Sequence, residues 1–150
     1  MAVGRRAREG EIHVSGLFLT SVRYGLVYFL LVFGAGFALA PVRELVLAPA
    51  IGPLWAELFE MPVMAAFIWL AAGWVVRRPG MAGRAAMCLV AGLLALALMV
   101  LAELSVVWLV RGMTLAEYAA SREPVTGVIY LAMLLVFALL PWLRSGPGRG

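Results

Sequence analysis

The chain has 150 residues, 65% apolar and 13% charged, with a formal net charge of +4. Soluble domains average roughly 45–50% apolar and about 25% charged residues, so with a mean hydropathy of +1.02 the composition excludes an ordinary soluble fold and implies a lipid solvent. All twelve basic residues are Arg and all eight acids are Glu; Lys, Asp, Asn and Gln are absent, and His13 and Cys88 are the sole members of their types, which argues against an internal disulfide, a paired-thiol redox motif or a His/Cys metal site.

In chain order, a short basic tail over residues 1–12 carries Arg5, Arg6 and Arg8. A helix needs about 20 apolar residues to cross the hydrocarbon core, and residues 21–40 supply the first such stretch, with 14–20 as an interfacial lead-in. Ala38-Leu39-Ala40 resembles a signal-peptide cleavage site. The apolar run is longer than a signal peptide's, however, and Pro41 would follow the cut, so the segment reads as a retained helix. Residues 41–53 hold Pro41, Pro49 and Pro53 around an apolar turn and read as a loop folded against the membrane surface. The second span covers residues 54–76. The basic turn 77–84 is short, which predicts that the second and third spans are antiparallel neighbours. The third span is 85–110. In the loop after it, Thr114-Leu115-Ala116-Glu117 has the spacing of a capping box that starts a short helix. The fourth span is 125–143. The fold class expected is all-α, a polytopic four-helix antiparallel transmembrane bundle forming one domain over 1–150.

Arginines near helix ends set orientation. One side holds Arg5, Arg6, Arg8, Arg23, Arg77, Arg78, Arg84, Arg144 and Arg149, the other only Arg43, Arg111 and Arg122. With the Glu residues included, the first side carries +7 and the second −3. Both termini and the 77–84 turn are therefore expected in the cytoplasm of a bacterial inner membrane. The pI near 10 reflects that asymmetry and contact of Arg with anionic lipid headgroups, not nucleic acid. Small residues mark close helix contact in lipid; Gly34, Gly36, Ala38 and Ala40 offer them on the first span and Ala91 and Ala95 on the third. This fits a compact bundle or a homo-oligomer. Trp55, Trp74, Trp108 and Trp142 fall near span ends, as an aromatic belt requires. Tyr24 and Tyr28 read as packing or belt residues, Arg23 as snorkelling to the inner headgroups, and Cys88 as a small buried residue.

Glu103 is the residue with most to explain. It lies within the third span among Leu101, Ala102 and Leu104, where a charge costs at least a few kcal/mol and must face an interior, a partner or water. Glu57 and Glu60 share a face of the second span, and Arg43, Glu44 and Arg111 stand at the outer helix ends. The candidate intramembrane polar cluster is thus Arg43, Glu44, Glu57, Glu60, Glu103 and Arg111, with Arg43 the expected partner of Glu60 or Glu103. Such a layer can lock helices by ion pairing, or bind a proton or cation for transport, or dock a partner's helix.

The stretches Gly34-Ala35-Gly36-Phe37 through Pro41-Val42-Arg43-Glu44-Leu45, and Ala56-Glu57-Leu58-Phe59-Glu60-Met61-Pro62, resemble a family of small uncharacterised four-helix inner-membrane proteins of proteobacteria. The resemblance covers under a fifth of the chain. It implies a four-helix membrane protein with Arg43, Glu44, Glu57 and Glu60 among its characteristic residues, and no activity. Other four-helix families fit poorly. Small multidrug transporters carry a carboxylate in the first span, membrane glutathione transferases and fluoride channels use Asn, and quinone-linked disulfide oxidoreductases need paired cysteines. The sequence therefore reads as a non-enzymatic accessory or structural subunit of a membrane complex, with no cofactor, partnered by lipid and by other membrane proteins or its own copies. A small proton- or cation-linked transporter or channel is the alternative.

Overall fold

In a computed structural model, which describes residues 2–112, 114, 117 and 124–146, the protein is an all-α four-helix bundle. Helix α1 spans Ala2–Val42 and runs through a π-helical turn, Arg43–Leu47, into the short α2, Ala48–Ile51. Three long helices complete the bundle: α3 (Pro53–Val76), α4 (Ala85–Arg111) and α5 (Pro124–Arg144). Four segments of the described chain are long and apolar enough to cross a bilayer, with mean hydropathies from 1.7 to 2.7. The protein is a multi-pass membrane protein. One end of the bundle holds the 77–84 turn and is basic; the other, at Gly52, is acidic.

The expected surface loop over 41–53 is instead helical. Pro41 is accommodated inside α1, and the chain reverses only at Gly52, whose φ of 87° suits glycine. A proline within a helix frees a backbone carbonyl, and a transmembrane helix tolerates this where local π adjustment and neighbouring groups satisfy it. The π turn begins two residues after Pro41, with the Ala48 N–H bonded to the Arg43 carbonyl. Pro53 then opens α3 in the first helical turn, where its missing N–H costs nothing.

The expected adjacency of the second and third spans is also corrected. Around the bundle, α1 packs on α4, α4 on α5, α5 on α3 and α3 back on α1, so α3 and α4 lie on a diagonal. With helix axes ~8–10 Å apart, the eight-residue connection is long enough to cross it. Its Met81 is fully buried, and the Cys88 thiol donates to the Met81 carbonyl at 3.5 Å. Cys88 itself is buried and free.

Lipid offers no hydrophobic drive between helices, so association rests on close backbone approach. A Cβ on Gly25 of α1 would sit 2.8 Å from the Ala91 carbonyl oxygen of α4, and one on Gly92 of α4 only 2.0 Å from the Ala138 oxygen of α5. Ala91 and Ala95 are fully buried. Gly34 and Ala38, by contrast, are on the outside, and a Cβ on Gly34 would meet nothing within 4 Å. The tight contacts therefore belong to the basic half, and the acidic half is left wider. Trp55, Trp74, Trp108 and Trp142 are all exposed, as belt residues should be. Beyond α4, the Thr114 hydroxyl accepts from the Glu117 N–H at 3.3 Å, while the Glu117 carboxylate accepts from the Thr114 N–H at 2.7 Å. This is the reciprocal capping box, and the backbone bond first, with the hydroxyl's, holds the Glu117 carboxyl below its usual range. Residues 115, 116 and 118–123 of the expected short helix, and the side chains of His13 and Arg111, lie outside the described part.

Candidate functional site

The wider acidic half encloses a cavity of about 410 Å³ bounded by all four long helices. Its floor, toward the basic end, is apolar: Val32 of α1, Ile68 of α3, Met99 of α4 and Phe137 of α5. Phe33, Met64 and Met133 form the walls above it. The upper part is polar, with Arg43 from the π turn, Glu57 and Glu60 from α3, Glu103 from α4 and Tyr130 from α5.

Local structure explains how these side chains arrive. Inside an α-helix one residue is ~100° of rotation, so the extra residue of the π turn re-aims the side chains beyond Pro41 across toward α3. Arg43 donates through Nη1 to Glu60 Oε2 at 2.9 Å and through Nη2 to Glu44 Oε1 at 3.0 Å. The two pairs differ in setting: the Glu60 side chain is 13% exposed and the Glu44 side chain 58%. The first ties the π turn to α3 in a largely desolvated position; the second, on the rim, contributes little. Glu57 lies one helical turn from Glu60 on the same face.

On the opposite side of the cavity the Tyr130 hydroxyl donates to Glu103 Oε1, joining α5 to α4. Counted from the floor along each helix at ~1.5 Å per residue, Glu103 stands ~6 Å above Met99 and Glu60 ~12 Å above Ile68. The polar groups are therefore staggered in depth rather than gathered at one level. Of the six candidate residues, Arg43, Glu57, Glu60 and Glu103 share the cavity, Glu44 flanks it from the rim, and the Arg111 side chain is outside the described part. Tyr130 is the member that a search for ionised groups misses. Its signal lies in the fourth span, where Thr126 and Tyr130 are polar side chains one turn apart in an otherwise apolar run.

Below the floor the bundle is closed. Tyr28 is fully buried, stacks on Phe137 with ring centroids 4.6 Å apart, and donates its hydroxyl proton to the Phe137 carbonyl at 3.0 Å. That carbonyl would pair with the N–H of residue 141, which is Pro141 and has none. Tyr28 supplies the missing donor.

The described lining carries three Glu and Arg43, which pairs with Glu60; Glu103 accepts from Tyr130, and Glu57 also has a partner. Ionised carboxylates at such a site are neutralised by protons, by Arg or by a bound cation. Among the described residues no cluster of three His, Cys or Glu has metal-site geometry. Compared with protein-family profiles, with curated proteins and with solved structures, the chain finds no match.

Proposed function

We propose that this protein is a proton-linked carrier for small lipophilic organic cations. It sits in a bacterial cytoplasmic membrane with both termini inside and the acidic end outward. The observation that carries the reading is the cavity, in which Glu57, Glu60 and Glu103 share walls with Phe and Met side chains. Small-molecule sites commonly measure about 300–1,000 Å³ and are largely apolar with few placed polar groups, and 410 Å³ falls within that range. The carboxylates of the lining select the ligand's charge, and the apolar depth selects a hydrophobic body. A structural layer of ion pairs alone would be packed to interior density; the open volume is what favours a carrier over an accessory subunit. Arg43 holds Glu60 in place, while Glu103 exchanges its proton for the cation. The orientation is supported by the nine-to-three division of Arg between the two ends.

The test is calorimetric titration of the purified protein in nanodiscs with tetraphenylphosphonium, against tetraphenylborate as an anion of matching shape. The cation is expected to bind with proton release and more tightly at higher pH, and the anion not to bind. Glu103→Gln keeps an oxygen for Tyr130 and is expected to fold, yet to weaken the cation about tenfold or more, as loss of a desolvated charge partner worth ≥1.4 kcal/mol requires. Glu44→Gln, on the rim, should bind as the parent does. Equal affinity for cation and anion, or undiminished binding by Glu103→Gln, would sink the proposal.

A further inference from the structure

A second charged locus lies at the basic end, outside the cavity and independent of its function. On α1, the Arg23 guanidinium stands 5.9 Å from the centre of the Tyr24 ring. On α3, the Arg78 guanidinium lies 3.7 Å from the Trp74 ring. The two rings meet edge to face across the α1–α3 seam, 6.3 Å apart and at 71°. The 77–84 turn closes the seam from below, since a Cβ on Gly80 would sit 3.3 Å from the Thr20 methyl. The result is an aromatic shelf with a guanidinium at each end.

Two features make this a binding site rather than a pair of snorkelling side chains. First, neither guanidinium forms an ion pair with a carboxylate among the described residues, unlike Arg43 at the other end of the bundle. A guanidinium resting on a ring face, as Arg78 rests on Trp74, keeps its N–H edges free to donate in its own plane, which is the geometry for bidentate phosphate recognition. Second, the locus lies at the basic end of the apolar spans, with Arg78 just beyond the Pro53–Val76 span. Arg23 is exposed and Arg78 half-buried, and the exposed Leu26 and Leu70 lie within about one turn toward the membrane centre. Arg77 and Arg84 have the same charge in the same turn, but neither stacks on a ring among the described residues.

We propose that the Arg23–Tyr24–Trp74–Arg78 shelf holds the headgroup of an anionic phospholipid, its phosphate at the stacked Arg78 guanidinium, with Arg23 adding charge at the far end, and its acyl chains along the outside of α1 and α3. The lipid staples α1 to α3 at the closed end of the bundle.

Native mass spectrometry of the detergent-purified full chain, titrated with phosphatidylglycerol or phosphatidylcholine, tests this. One phosphatidylglycerol is expected to bind in preference to phosphatidylcholine. Removing both shelf arginines (Arg23→Gln with Arg78→Gln) should weaken it about tenfold or more, given the worth of each Arg near an anionic surface. Arg77→Gln with Arg84→Gln removes equal charge and should stay within about twofold on the same scale. Equal losses in the two double variants would mean diffuse charge attraction and overturn the site, as would absence of headgroup preference. Glycerol 3-phosphate is expected not to compete at matched concentration; competition would point to a water-soluble phosphate ligand and overturn the lipid assignment. If the Gln pair fails to fold, Arg23→Lys with Arg78→Lys decides. It keeps charge but loses the stacked plane, and affinity equal to the parent's would again overturn the proposal.

Discussion

Tyr28 shows how a single side chain closes a polar account that the backbone opens. Pro141 leaves the Phe137 carbonyl without its helical donor, and a phenol reaching from α1 replaces it at 3.0 Å in a fully buried position. Stranding a buried carbonyl costs ~1–3 kcal/mol, so Tyr28→Phe should destabilise the protein by that amount in detergent denaturation. In a Pro141→Ala background the N–H returns at position 141, and the same substitution should cost clearly less. An identical cost in both backgrounds would show that the bond is not what Tyr28 contributes. The sequence marks Tyr28 as packing and Pro141 as the end of a span. The relation between them, 109 residues apart, depends on which helices adjoin. The Arg43–Glu60 pair is more readable, since both are charges entering lipid from the same side and few partners exist for either. Tyr130 escapes the same reasoning because a hydroxyl carries no charge to be explained.

At the scale of elements, the span boundaries are legible because apolar length and terminal Arg, Gly and Pro are one-dimensional signals. The segment over 41–53 is not. Proline counts against a helix in water, but here Pro41 lies inside α1, Pro49 in the helical run that continues it, and Pro53 in the first turn of α3, where its missing N–H costs nothing. Small residues mislead in a similar way. Gly34 and Ala38 have the spacing of a contact face yet point outward, while Gly25 and Gly92 make the close approaches. Gly92→Ala would put a Cβ 2.0 Å from the Ala138 carbonyl oxygen, forcing backbones apart. A cost of ~1–3 kcal/mol or more is expected from overpacking of this kind. Gly34→Ala should fall within ~0.5 kcal/mol of the parent. Thermal unfolding of the two variants side by side checks both; comparable stability would mean that the α4–α5 contact is looser than described.

At the scale of the whole molecule, close packing and charge are distributed along one axis. The basic half is sealed by Gly25 on Ala91, Gly92 on Ala138 and the Tyr28–Phe137 stack, with Met81 buried in the turn beneath. The acidic half is wider and lined by carboxylates, and Phe37 and Val106 line the cavity while remaining 73% and 44% exposed. Access to the cavity should therefore come from the acidic end or from the bilayer beside it, and not from the basic end. Cysteine accessibility in intact cells measures this together with the orientation. In a Cys88→Ala background, Met61→Cys reports from the upper cavity wall and Ala82→Cys from the basic turn. A membrane-impermeant thiol reagent added outside should label the first and spare the second until the membrane is permeabilised. Tetraphenylphosphonium added beforehand should slow labelling of the first only, because its hydrophobic body would occupy the space that the reagent must cross. Labelling of Ala82→Cys from outside would invert the topology. Labelling of Met61→Cys that the cation leaves unchanged would separate the cavity from the cation site, leaving the acids to the structural task of tying the π turn to α3 and α4 to α5.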